Sequence, residues 1–123
     1  GRLLEATPAN VEYTQRWVGR MSPEGFTNPR GALAEAFGKL KPSTIWLLSD
    51  GKFSQFKRVK RGNRTQVVGL PPVYKVIQKL NPTGAVRVNT IGFADSEQDV
   101  DDSLKAIAKE NDGTYRFIKS NER

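Results

Sequence analysis

The chain has 123 residues, a normal length for one domain around one hydrophobic core. Its 37% hydrophobic content is low for a self-sufficient domain but too high for a disordered chain, and no apolar run approaches the ~18 residues of a membrane span. With no Cys and no His, disulfides, thiolate chemistry, Cys-based zinc sites and histidine acid–base catalysis are excluded, so any metal would be a hard cation held by oxygens.

The net charge of +7 is unevenly spread. Residues 51–94 hold nine Lys or Arg and no acid, while residues 95–123 hold eight acids against five bases. Absence of cysteine does not decide the compartment. No secretory signal pattern opens the chain, and Gly1 in place of Met suggests a chain excised from a longer one.

Thr7-Pro8 reads as an N-cap with proline at the first helical position, and Tyr13, Trp17 and Met21 recur four apart. This predicts a helix from about Pro8 to Arg20, broken by Ser22-Pro23-Glu24-Gly25. Asn28-Pro29 repeats the start signal, and Leu33, Ala36, Phe37 and Leu40 give one apolar face to a second helix ahead of Pro42. Thr44 to Ser49 is a short apolar run with β-branched and aromatic residues, the pattern of a parallel strand covered on both faces. Asp50-Gly51 ends it.

Residues 52–70 read as a basic insertion, with Arg61-Gly62-Asn63-Arg64 as the turn of a surface hairpin. Pro71-Pro72 opens a third helix with Val73, Val76, Ile77 and Leu80 on one face. Val86 to Phe93 is a second strand, Asp95 to Asp99 an acidic loop, and Val100, Leu104, Ile107 and Ala108 a fourth helix stopped at Gly113. Thr114 to Ile118 is the last strand. Strands alternating with helices imply parallel crossovers, hence an α/β three-layer sandwich with a parallel sheet in the order 44–49, 86–93, 114–118.

Nucleotide-binding glycine motifs are missing. The acids of 95–102 fit a solvated loop and helix start better than a catalytic pair. One constellation stands out: Gly25-Phe26-Thr27-Asn28 precedes a helix and Leu47-Leu48-Ser49-Asp50-Gly51 ends a strand. Ligands in open parallel sheets gather outside the carboxyl ends of strands, and a hydroxyl with a carboxylate suits a hard divalent cation. The plain alternative is a helix cap and a turn.

The segments Thr27 to Leu33, Ile45 to Gly51, Val86 to Phe93, Leu104 to Ala108 and Gly113 to Phe117 together resemble, in order, the von Willebrand factor type A (VWA) domain, nearest to its bacterial members. The resemblance covers about residues 22–118 and implies a truncated Rossmann-like fold. It also implies an adhesion-type, protein-binding module with an Mg²⁺-dependent site that captures an acidic group of the partner. Thr27 and Asp50 then match the second- and third-loop metal ligands. The family's Asp-x-Ser-x-Ser loop has no counterpart in this chain. The resemblance therefore implies an incomplete site that holds no ordered metal alone; Asp95, after the neighbouring strand, could supply a third oxygen, but its acidic loop reads better as solvated. It also implies a strand 44–49 with one edge unpaired, which favours self-association.

A second reading is a binder of nucleic acid or another anionic surface through 52–64, with Lys57, Arg58, Lys60 and Arg61 as anion-binding residues and Phe53 and Phe56 as stacking groups. The bland version of that segment is a solvated insertion with no partner. An enzyme ranks last, because no base, nucleophile or complete ligand set is visible.

Overall fold

The computed structural model describes residues 3–22 and 27–120. Helix α1 spans Pro8–Val18, with the Thr7 side chain accepting a hydrogen bond from Asn10 N at 3.3 Å. It buries none of its residues. The break expected at 22–25 lies mostly outside the described residues. Helix α2, Arg30–Glu35, continues into a π-helical turn at Ala36–Leu40 and ends where Lys41 turns left-handed. Helix α3 covers Val73–Leu80 after the Pro71-Pro72 step, and α4 covers Ser103–Glu110. The fourth helix thus starts later than the apolar spacing suggested, because a 3₁₀ turn at Glu97–Asp99 and an extended Val100 precede it.

Strands β1 (Thr44–Ser49), β4 (Arg87–Ala94) and β5 (Tyr115–Lys119) form one parallel sheet in the order β1-β4-β5. The chain is an α/β protein, as the alternation of elements requires. The basic segment between β1 and α3 forms a separate antiparallel hairpin, β2 (Phe56–Arg61) with β3 (Arg64–Gly69).

Both steps across the sheet, β1 to β4 and β4 to β5, run in one direction. Right-handed crossovers then place α3 and α4 on the same face. The core agrees: Leu33 of α2, Val73 and Ile77 of α3, and Ile107 of α4 cluster with Val88 of β4, and Ile45 and Leu47 of β1 pack against them. Thr90, fully buried, donates from Oγ1 to the Leu104 carbonyl at 2.8 Å and ties this face to α4.

Paired residues of neighbouring strands share a face, so Trp46 beside Asn89 and Leu48 beside Ile91 point the other way. Trp46 is 58% and Leu48 61% exposed. The covering of both faces expected for the run Ile45–Leu48 is therefore found on one face only; β1 alternates half-buried and exposed along its whole length. Among the described residues no helix is long and apolar enough to cross a membrane.

Candidate functional site

The loops at the carboxyl ends of β1 and β4 meet. After β1, Ser49 Oγ accepts from Gly51 N at 3.0 Å, and Asp50 Oδ1 accepts from Lys52 N at 3.0 Å. These are local turn bonds of the kind Ser and Asp make with the following backbone. The Asp50 carbonyl accepts from Asp101 N at 3.0 Å. Gly51 sits at φ 82°, and a Cβ there would lie 2.7 Å from Asp101 Cβ. Only glycine gives both the left-handed backbone and this approach of the two loops.

Thr27 joins the same place from the other side: its carbonyl accepts from Ser54 N at 2.8 Å, four residues beyond Asp50. The two residues singled out in the sequence thus lie in loops bonded to one another. Asp95 does not join them. Its carboxylate instead accepts from Ser120 Oγ just past β5, while Ser120 N donates to the Ala94 carbonyl at 2.9 Å. The acid beside Asp50 is Asp101, which sequence reasoning missed. The acidic run signalled that some carboxylate would stand here; the 3₁₀ turn at Glu97–Asp99 decides which.

As a metal centre the donor set is thin. Thr27 and Asp50 offer two ligand groups, one neutral, and Asp50 Oδ1 is already engaged by Lys52 N. No group of three or more acidic side chains that could hold a metal exists among the described residues. Mg²⁺ gives up water reluctantly and prefers octahedral geometry, so these residues do not fit a tight site by themselves.

A cleft of about 870 Å³ opens beside these loops, lined by Arg30, Lys52, Phe53, Tyr74 and Asp101 among others. Arg30 props one wall, donating from Nε and an Nη to the Pro71 carbonyl at 2.8 and 2.6 Å. Partial desolvation lowers its pKa from the ordinary arginine value, but a guanidinium has so high a pKa that it stays charged. The lining mixes two cations, one carboxylate and aromatic rings.

Two further features complete the surface. The outer edge of β1 has no strand partner among the described residues, since β2 and β3 pair only with each other. Lys57, Arg58, Lys60 and Arg61 all lie in β2, exposed, and none has an ion-pair partner among the described residues. Of the two aromatic residues proposed to stack, Phe56 is 62% exposed, whereas Phe53 is half-buried against the core. No family model matches the chain, and no solved structure matches it.

Proposed function

We propose that this chain is a protein-binding module of the von Willebrand factor type A kind, carrying two of the three loops of a metal-ion-dependent adhesion site. The observation that carries the reading is the unpartnered edge of β1 with Trp46 and Leu48 exposed beside it. A free edge offers a row of N–H and C=O groups, and the exposed apolar face offers area to bury; a polypeptide satisfies both at once. In the family, the strand beside this one comes from the segment that also carries Asp-x-Ser-x-Ser. The same segment would supply the missing carboxylate and hydroxyls next to Thr27 and Asp50. In the completed site an Mg²⁺ ion would act as a Lewis acid toward an acidic group of the partner. Thr27 and Asp50 would be among the residues that hold it, and no covalent chemistry would be involved.

Calorimetry with Mg²⁺ and Mn²⁺ tests this reading on the chain alone and on the chain fused behind an upstream segment in which Asp-x-Ser-x-Ser follows an apolar strand. The chain alone is expected to bind weakly. The fusion is expected to bind at least tenfold more tightly, with the gain lost on Asp50→Ala. Tight binding by the chain alone would show that other residues make the site. No gain in the fusion would sink the metal-dependent adhesion reading.

A further inference from the structure

We infer that the β2–β3 hairpin is a ribbon that enters the major groove of duplex DNA. This goes beyond the protein-binding reading and stands without it. The hairpin forms its own two-stranded sheet, and every residue of β3 and all of β2 except Val59 is exposed. Its register sorts the cations onto both faces. Arg58 opposite Val67 and Lys60 opposite Thr65 point one way; Lys57 opposite Val68 and the pair Arg61–Arg64 point the other. A membrane or a flat anionic protein surface meets one face of a ribbon and leaves the other in water. A groove has two phosphate walls and meets both.

The dimensions agree. Six paired residues at ~3.3 Å each make a ribbon ~20 Å long, its two strands ~4.8 Å apart. The major groove of B-form DNA is ~12 Å wide and admits a two-stranded ribbon, whereas the A-form major groove of RNA is too narrow. The tip is slim: Gly62 at φ 60° closes a two-residue turn, and nothing lies within 4 Å of where its Cβ would be. Five cations without an acid among them or an ion-pair partner among the described residues leave their full charge for phosphates. Val67 and Val68 flank them with apolar surface for thymine methyl groups.

The test is the salt dependence of binding to a short labelled DNA duplex, read by fluorescence anisotropy. One variant neutralises the first face (Arg58→Gln with Lys60→Gln) and another the second (Lys57→Gln with Arg61→Gln and Arg64→Gln). Each phosphate contact contributes a slope of about 0.9 in log K against log salt, so the slopes are expected to fall by about 1.8 and about 2.7. Arg→Lys changes at 58, 61 and 64 are expected to keep the parent slope. Thermal melts of all variants, read at the β1-β4-β5 core, are expected to match the parent, so a lost slope reports contact and not unfolding. A slope that responds to one face only overturns the groove. So does binding to phosphatidylserine–phosphatidylcholine vesicles without binding to the duplex, or equal affinity for a single strand.

Discussion

Tyr115 shows how one residue can be placed by its neighbours' absences. Its hydroxyl lies where Gly92 lacks a side chain: a Cβ on Gly92 would come within 2.7 Å of it and 2.9 Å of Val100 Cγ1. The oxygen is buried without a hydrogen-bond partner among the described residues, and the Lys105 ammonium stands 5.3 Å from the ring centroid. Desolvation first, and the negative charge of Glu97 second, push the phenol above its ordinary pKa of 10.0. The folded state therefore holds this proton more tightly than the unfolded chain. Below pH 10.0 both states carry it and the contribution is fully present. As pH rises above that value the unfolded chain releases its proton first, and stability falls until the folded pKa is passed. Urea midpoints are expected to drop over this alkaline range and to drop less in Tyr115→Phe. An identical decline in the variant would remove Tyr115 as the source.

At the scale of elements, α1 differs from the rest. Its cap and its proline are both legible in the sequence, and the structure has them. Yet Val11, Tyr13, Trp17 and Val18 stay between 44% and 60% exposed, so the helix lacks the tertiary packing from which most helices draw their stability. Isolated helices shorter than ~12–15 residues are marginal in water, and α1 has 11. Native-state hydrogen exchange is expected to show fast exchange throughout α1 and the slowest exchange in β4, which is paired on both edges and covered by α4. Protection of α1 equal to that of β4 would mean that its apolar stripe is covered in solution. The β2–β3 hairpin was legible for a different reason: Gly-Asn between two basic runs is a turn signal that needs no tertiary support. Its exposure on both faces follows from having no periodic apolar side to bury.

Across the whole molecule, burial is one-sided. The sheet packs α2, α3 and α4 against Ile45, Leu47 and Val88, while Trp46, Leu48, Phe93 and Ile118 remain 39–61% exposed. A sheet with one exposed apolar face and, among the described residues, no further strand beyond β1 or β5 is a pairing template. Sedimentation over a range of concentrations is expected to show reversible self-association, and Leu48→Lys is expected to shift it toward monomer by putting a charge on the exposed flank of β1. A monomer at every concentration would count against an adhesive edge. Burying the two exposed tryptophans, Trp17 and Trp46, on association would also move their emission to shorter wavelength.

The sequence alone determined what depends on local chemistry. The three strands and their parallel direction followed from short apolar runs spaced by helices, because a helix between two strands returns the chain to the end of the sheet where it began. Thr7, Gly51 and the Pro71-Pro72 step announced their caps and turns, because φ limits and capping hydroxyls act within a few residues. Thr27 and Asp50 could be assigned to one end of the sheet from topology. Tertiary structure alone decided that Asp101 and not Asp95 meets the Asp50 loop, since both acids follow β4 and only the 3₁₀ turn between them sets which one reaches back. It also decided that Phe53 joins the core while Phe56 does not, and that Trp46 and Leu48 stay in solvent. An apolar run records that a strand has surface to bury, and which neighbours arrive to bury it is a property of the assembled layers.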